Sequence, residues 1–302
     1  MKLTHFFVTL FLFIIWGLNF VVIKIGLKEI PPVFLVFIRF FLTSFPAIFF
    51  IKRPNISLSK LLIYGLVMFA LQFGFLFSAM EHGITPALAS ILLQLQVFFT
   101  IALGSIVFKE KLSTSQIFGA LVAFSGMAII AKNLSHEVTL SGVLLVIAAA
   151  ACSAPGNAIC KKMGDVDMVA VVVWSSLFAW PALLLFSVYL EGCDKILLSL
   201  MTLNKSSFGA VAYITYLSTF LGYYIWNYLI SKYPMSVVAP YSLLSPIFGT
   251  FFSCILLGET LPTWKISCGL LVLAGLCINL AGSYLEKRSM IYKKSKAENL
   301  VD

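Results

Sequence analysis

The chain has 302 residues, of which 61% are hydrophobic and only 11% charged, and its mean hydropathy is +1.02. A soluble globular chain carries roughly 25% charged residues, so this one could not cover its surface in water. The formal net charge of +9 does not indicate nucleic-acid binding, because the basic residues sit in loops and in a C-terminal tail, as membrane orientation requires. The composition predicts an integral membrane protein.

Ten apolar stretches, most of them long enough to cross a bilayer, fill nearly the whole chain. A hydrocarbon core about 30 Å thick needs roughly 20 apolar residues at helical rise. Because the runs are continuous, helices are favoured over a β-barrel, whose strands would be short and alternating. We predict spans at residues 5–26, 32–51, 61–80, 85–107, 115–132, 140–161, 168–190, 207–230, 235–257 and 264–285.

The first of these stretches resembles a signal peptide, since Lys2 precedes an apolar run. However, no small-x-small cleavage site follows, and the chain continues through Trp16 and Asn19 to Lys24. We therefore expect this stretch to be retained as the first span.

The distribution of Lys and Arg predicts the orientation of the spans. With the N-terminus inside, cytoplasmic segments hold 14 basic residues and the opposite side holds 6. This bias favours a multi-pass protein of a bacterial inner membrane with both termini in the cytoplasm.

Three groups of residues recur in the same order in the two halves of the chain. The pairs are Asn19 and Lys24 with Asn157 and Lys162, Phe45-Pro46-Ala47 with Trp180-Pro181-Ala182, and Glu110-Lys111-Leu112 with Glu259-Thr260-Leu261. Each half holds five spans, an odd number, so the second half must enter from the opposite face. We predict an all-α membrane protein of two inverted five-helix repeats, 5–132 and 140–285, followed by a basic cytoplasmic tail, 286–302.

Asn19 and Asn157 are candidates for binding a polar solute within the membrane. Each lies about 14–17 residues into its span, and they enter from opposite faces, so we expect them to converge near the midplane, where transporter sites form. Trp16 shares the face of Asn19, and Pro155-Gly156 should weaken the helix and free carbonyl groups for a ligand. The alternative is that both amides join neighbouring helices by hydrogen bonds.

Arg39 lies about 10 Å inside the second span by helical rise, a costly position for a charge. Its guanidinium group suits the capture of a carboxylate. Alternatively, the side chain snorkels to the outer interface or binds a helix end.

Further polar and aromatic residues are candidates for lining a cavity. Gln94 and Gln96 are two residues apart and cannot face the same way, so we expect at most one of them in the site. Tyr241 and Ser245 share a face of the ninth span, which flanking prolines should bend. The remaining candidates, for which ordinary packing or an interfacial belt is the alternative, are Gln72, Trp174, Tyr223 and Trp226.

Signatures of other functions are not found in the sequence. There is no HExxH, GxSxG, P-loop or dinucleotide motif, and the six cysteines show no metal or disulfide spacing, so we expect no enzyme, cofactor or metal. Glu110 and Glu259 end spans and should pair with loop bases. Apart from Arg39, no strong mid-membrane charge is apparent, which favours a neutral or zwitterionic substrate.

The chain resembles the EamA-type exporters of the drug/metabolite transporter superfamily, and within them the exporters of O-acetylserine and cysteine. The residues that carry this likeness are Trp16-Gly17-Leu18-Asn19-Phe20-Val21-Val22-Ile23-Lys24, Pro31-Pro32, Arg39, Phe45-Pro46-Ala47, Gln94, Gln96, Glu110-Lys111-Leu112, Ile225-Trp226 and Val238-Ala239-Pro240. The sixth span departs from the pattern, with Ala154-Pro155 where a Trp and a small residue are expected.

The resemblance implies ten helices, a central cavity and efflux of an amino acid or related metabolite. We expect alternating access, with membrane lipid and a small-molecule substrate as the partners. Other interpretations are an exporter of a different metabolite or drug and a membrane scaffold or channel subunit. The small-residue patterns at Gly119/Ala123 and Gly275/Asn279 suit either dimerisation or packing within the chain. We expect packing within the chain, with a monomer as the plausible state.

Overall fold

The computed structural model describes residues 2–109, 112–134, 138–164, 166–233 and 238–298. Throughout these residues the fold is helical and contains no strand. Within them, nine helices are long and apolar enough to cross a membrane, and a shorter apolar helix covers Tyr241–Leu257. The predicted all-helical membrane class is confirmed.

We number eleven helices in chain order. They are α1 Leu3–Gly26, α2 Pro32–Ser44, α3 Leu58–Glu81, α4 Pro86–Val107, α5 Thr114–Lys132, α6 Leu140–Met163, α7 Met168–Glu191, α8 Cys193–Met201, α9 Lys205–Ala212 with Tyr213–Leu221 and Gly222–Lys232, α10 Ala239–Leu243 with Leu244–Leu257, and α11 Thr263–Glu298. Residues 235–237 of the predicted ninth span lie outside the described residues, as do residues 299–302 of the predicted tail.

Four helices contain irregular turns that the hydrophobic pattern does not reveal. Residues Gly65–Leu71 of α3 and Tyr213–Leu221 of α9 form π-helix, and Leu93–Leu95 of α4 and Ala239–Leu243 of α10 form 3₁₀-helix. Such turns are uncommon inside helices but frequent at functional sites. They change which residues share a face of the helix and leave some carbonyl groups without their usual partners.

The predicted loop between the seventh and eighth spans holds the short helix α8. Gly192 precedes it with a φ of +83°, a left-handed conformation that favours glycine, and so breaks the chain from α7. Ile196 and Ser199 of α8 are buried, whereas Leu197, Leu198 and Met201 are exposed. The sequence predicted only a connection here, because nine residues are too few to cross a bilayer.

Helices α5 and α11 pack antiparallel through a seam of small residues. A Cβ atom added to Gly119 would lie 2.5 Å from the backbone oxygen of Gly275, and one added to Gly126 would lie 3.4 Å from that of Cys268. As the residue number rises along α5 it falls along α11, so the two helices run in opposite directions. The expected packing of the small residues within the chain is confirmed.

Helices α2 and α7 also run antiparallel. The Glu191 carboxylate at the end of α7 accepts hydrogen bonds from the backbone N–H groups of Val33 and Phe34 at the start of α2. Near the other end, the Trp174 indole donates to the carbonyl of Ile51 at 3.1 Å.

Two further helix pairs run parallel. In α1 and α10, Gly17 packs against Phe248 and Gly249, and Phe6 contacts Tyr241. Helices α4 and α6 also run parallel, because Gly142 lies against Ile84 near the start of both helices and Asn157 bonds Thr100 further along both, at 3.0 Å.

Helices α1, α9, α2 and α3 form a ring in which each contacts the next and α3 closes back on α1. Lys24 of α1 donates to the carbonyl of Met80 of α3 at 2.9 Å, so these two helices run parallel. Trp16 lies eight residues before Lys24 and Gln72 eight residues before Met80, so the two lie at a similar depth, near the middle of their helices. Both residues therefore lie near the middle of the ring.

Candidate substrate site

Arg39 lies inside the ring, 2% exposed. Its Nε atom donates to Thr219 Oγ1 of α9 at 3.0 Å, and its guanidinium carbon lies 4.2 Å from the centre of the Phe73 ring of α3. A desolvated cation over an aromatic face is stabilised by about 2 kcal/mol. Arg39 therefore does not snorkel to the interface: α2 presents it to α3 and α9 in the protein interior.

The π-helical turn of α9 supplies the partner of Arg39. The Thr219 hydroxyl donates to the carbonyl of Ile214, five residues earlier, at 2.8 Å. With its proton used in that bond, the hydroxyl oxygen presents a lone pair to the guanidinium group. The carbonyl of Ser218, the residue before Thr219, accepts a hydrogen bond from the Trp16 indole at 3.1 Å.

Trp16 forms the aromatic side of the site. A Cβ atom added to Gly222 would lie 2.5 Å from the Trp16 indole nitrogen, so this glycine makes room for the ring. The ring of Trp16 contacts Tyr223 and Trp226 at centroid distances of 6.2 and 5.8 Å. The structure brings these three predicted aromatic residues together.

Helix α3 contributes Gln72 through its own π-helical turn. Phe69, which lies within that turn, stacks on Phe40 at 4.7 Å and contacts Tyr223 at 6.5 Å. Gln72 precedes Phe73, the residue beneath the Arg39 guanidinium group, and is 4% exposed. Arg39 therefore contacts the residue that follows Gln72 on α3.

Four polar atoms of the ring have no hydrogen-bond partner among the described residues: Asn19 Oδ1, Arg39 Nη1, Gln72 Oε1 and Thr215 Oγ1. Their side chains are 7%, 2%, 4% and 0% exposed, respectively. Nearly all buried polar groups in proteins are paired, because each unpaired one costs about 1–3 kcal/mol. Four of them on four adjoining helices indicate a polar site.

The two asparagines do not meet. Gly17 and Phe20 of α1 pack beside Gly249, which also lies against Ser90 of α4, so Asn19 is at the level of Ser90. Asn157 bonds Thr100, ten residues further along α4, about 15 Å at helical rise. The predicted convergence of Asn19 and Asn157 is therefore not observed. Each amide lies six or seven residues before the end of its helix, and because α1 and α6 run in opposite directions the two amides lie at different depths.

The glutamines of α4 take separate roles around its 3₁₀ turn. Gln94 is buried and donates to the carbonyl of Ser242 at 3.4 Å, joining α4 to α10. Gln96 is half-buried, and its carbonyl accepts from Thr100, the partner of Asn157. Neither makes a bond to the ring among the described contacts.

Other predicted residues lie away from the ring. Trp174 binds the carbonyl of Ile51 at the α2–α7 contact, Tyr241 contacts Phe6, and Ser245 is half-buried on α10. Glu259 pairs with Lys265 at 2.9 Å, as expected of a glutamate that ends a span. Glu110, predicted to pair in the same way, lies outside the described residues.

The sequence did not single out Thr215, Ser218 and Thr219, although they belong to the site. Threonines four residues apart in an apolar helix are a weak signal, because hydroxyl groups commonly bond the preceding turn of their own helix. Their role depends on the π-helical turn, which has no sequence signature in this chain.

Taken together, these residues define a multi-pass helical membrane protein in which buried polar and aromatic side chains in the middle of a four-helix ring form the candidate site. Solute transporters place their binding sites in this way.

The comparisons with known proteins give the family. Residues 4–132 and 140–281 each match the EamA-like transporter family, and the chain belongs to it. A "Probable amino-acid metabolite efflux pump" of Salmonella typhimurium is 40% identical over 291 residues, covering 94% of this chain and 97% of the relative. One of the same description from Escherichia coli K12 is 39% identical, covering 89% and 92%. The family is one of transporters, not enzymes.

A solved crystal structure shares the fold. It aligns with 95% of this chain and 100% of its own, with a TM-score of 0.61 and 15% identity.

Proposed function

We propose that this protein exports an amino acid or a close amino-acid derivative from a bacterial cell across the inner membrane. The observation that carries the proposal is the set of four unpaired polar atoms, on Asn19, Arg39, Gln72 and Thr215, inside a ring of four helices. A buried guanidinium group that has no carboxylate partner among the described residues suits a substrate carboxylate. The names of the Salmonella and Escherichia coli relatives, each a probable amino-acid metabolite efflux pump, support this substrate class.

The proposed mechanism is alternating access by two inverted repeats, 5–132 and 140–285. In such an arrangement, helices at the same place in the two repeats run in opposite directions. The antiparallel pairs α2–α7 and α5–α11 support this relation. The contact of α1 with α10 has its counterpart in the contact of α6 with α4, as two-fold symmetry requires. The two π-helical turns also occupy corresponding helices, α3 and α9.

Both termini are proposed to face the cytoplasm, on the evidence of the Lys and Arg bias. Fusions of a periplasm-active and a cytoplasm-active reporter to the C-terminus and to the α7–α8 connection test this orientation. We expect the cytoplasmic reporter to work at the C-terminus and the periplasmic reporter to work at the connection. The reverse result would overturn the orientation.

O-acetylserine and cysteine are the proposed substrates within this class, from the resemblance of the first half of the chain. The test is efflux from cells preloaded with labelled cysteine, O-acetylserine, threonine or phenylalanine. We expect overexpression to speed the loss of at least one of them, and Arg39→Met to abolish the gain. Arg53→Met is the matched control, because Arg53 binds the carbonyl of Ile56 in the α2–α3 connection.

Two alternatives give different outcomes in the same cells. An exporter of another metabolite or a drug would leave all four labels unchanged but alter resistance to toxic compounds. A membrane scaffold or channel subunit would tolerate Arg39→Met and Asn19→Leu with neither effect. If no amino acid moves faster in overexpressing cells, the proposed function is wrong. A monomer is proposed as the transporting unit, and the mass of the purified protein in detergent tests it.

A further inference from the structure

From the unpaired atoms, we infer that the ring selects the intact α-amino-acid zwitterion: Arg39 binds its carboxylate, and the amide oxygens of Asn19 and Gln72 bind its ammonium group. This inference rests on the proposed function and makes it more specific. It predicts that loss of either charged group of the substrate, and not only a change of its side chain, prevents recognition.

The donor side of the site is Arg39 Nη1. The Nε atom of the same guanidinium group is already held by Thr219 at 3.0 Å, and Phe73 lies beneath its plane. The group is therefore fixed in orientation while one of its terminal nitrogens has no acceptor among the described residues. A carboxylate oxygen is the acceptor that pairs best with a guanidinium N–H.

The acceptor side consists of Asn19 Oδ1 and Gln72 Oε1, both buried and both without a donor within the described structure. An ammonium group carries three donors and no acceptor, so it satisfies two amide oxygens and has a third N–H left. Thr215, one turn of α9 from Thr219, presents an unpaired hydroxyl oxygen that could accept it.

The two sides lie on adjoining helices of the ring. Arg39 binds Thr219, the neighbouring carbonyl of Ser218 binds Trp16, and Asn19 lies one turn beyond Trp16 on the same face of α1. On α3, Gln72 is the residue before Phe73, whose ring lies beneath the guanidinium group.

Electrostatics favours a zwitterion over a cation. Four helix segments surround the site: residues 16–19 of α1, 39–40 of α2, 69–73 of α3 and 215–223 of α9. Arg39 is the one charged residue within these segments. A decarboxylated amine would bring a second positive charge into a low-dielectric volume, where like charges repel strongly. An acid without its amino group would neutralise Arg39 but leave two amide oxygens unpaired.

Competition among four related compounds tests the inference. Inverted membrane vesicles would take up labelled cysteine in the presence of unlabelled cysteine, cysteamine, 3-mercaptopropionate or N-acetylcysteine. The three analogues lack the carboxylate, lack the amine or carry a blocked amine, respectively. We expect each to compete about tenfold or more weakly than cysteine, since each leaves a buried polar group of the site unpaired. If labelled phenylalanine is the better substrate, phenethylamine, 3-phenylpropionate and N-acetylphenylalanine take their places.

Substitutions at the two sides of the site should affect this selectivity differently. Gln72→Glu adds a negative charge at the ammonium side and should improve competition by the amine, whereas Arg39→Lys should keep the preference for the carboxylate. Arg53→Lys is the matched control and should leave all ratios unchanged. If Gln72→Glu fails to reach the membrane, Asn19→Asp tests the same expectation, because it places a carboxylate at the other acceptor.

The outcomes separate the inference from the proposed function. Equal competition by the amino acid and its amine, with export intact, would overturn the inference alone. Absence of any amino-acid transport would overturn the proposed function. An unchanged ratio in both Gln72→Glu and Asn19→Asp would show that these amides do not contact the ammonium group.

Discussion

The Glu191 carboxylate accepts the backbone N–H of Val33 at 2.7 Å, and so the last residue of α7 caps the first turn of α2. Two other glutamates make bonds of the same kind between the halves of the chain. Glu29 accepts from the backbone N–H of Asn204, just before α9, at 3.4 Å, and Glu259 accepts from the N–H of Ala87 at the start of α4 at 3.3 Å. Because the unpaired N–H groups of a helix start carry partial positive charge, each carboxylate stabilises the helix that it reaches.

Replacement of Glu191 by Ala should therefore destabilise the contact between the halves. We expect the free energy of unfolding to fall by about 1–2 kcal/mol, the usual value of a helix cap. Thermal unfolding of the purified protein in detergent measures the change. Glu81→Ala is the control, because Glu81 is exposed at the end of α3. Equal destabilisation by the two substitutions would contradict the role of the cap.

Thr219→Val should disturb the setting of Arg39 while preserving the shape of the side chain. The Nε atom of Arg39 would lose its acceptor, and a buried charged donor without a partner costs about 1.5–3 kcal/mol. We expect substrate affinity to fall about tenfold or more, measured as the concentration of half-maximal uptake in vesicles. Thr202→Val is the control, since the exposed Thr202 hydroxyl binds only the carbonyls of its own helix. Unchanged affinity in Thr219→Val would show that this bond does not position the guanidinium group.

Gly222→Ala should displace the indole of Trp16. The new Cβ would lie 2.5 Å from the indole nitrogen, so the ring must move and its hydrogen bond to Ser218 must break. We expect transport to fall about tenfold, because small displacements of binding groups are costly, and the tryptophan fluorescence spectrum to shift. Gly209→Ala on the same helix is the control, since a Cβ there meets nothing within 4 Å. Normal transport by Gly222→Ala would show that the position of Trp16 is unimportant.

Gly119→Ala should weaken the packing of α5 on α11. Its Cβ would lie 2.5 Å from the backbone oxygen of Gly275, a clash that only movement of a helix can relieve. Overpacking of this kind costs about 1–3 kcal/mol, and the midpoint of thermal unfolding should fall accordingly. Gly126→Ala lies in the same seam, but its Cβ would be at an ordinary contact distance of 3.4 Å, so we expect little change. Similar midpoints for the two variants would argue against close backbone contact at Gly119.

Much of the fold followed from the sequence because membrane spans are defined locally. The predicted span 140–161 corresponds to helix Leu140–Met163, and the span 168–190 to Met168–Glu191. The length of an apolar run and the residues that break it determine where such a helix begins and ends. Helix α8 was missed because its pattern is too short for that argument.

The site was predicted less completely. Arg39, Gln72 and Asn19 were singled out as candidates because polar groups are costly in hydrocarbon and stand out in an apolar run, and Trp16 because it shares the face of Asn19. Asn157 was recognised by the same reasoning but bonds Thr100 at another depth.

The sequence alone determined the class of the protein, the approximate limits of its helices and the polar residues that need a reason to be buried, because these depend on hydrophobicity along the chain. Only the tertiary structure decided which of those residues meet. Gln72 directly follows the π-helical turn of α3, Thr219 lies within that of α9, and the packing of helices from the two halves brings Thr219 to Arg39. Such contacts between residues 180 positions apart depend on the register of packed helices, which local hydrophobicity does not specify.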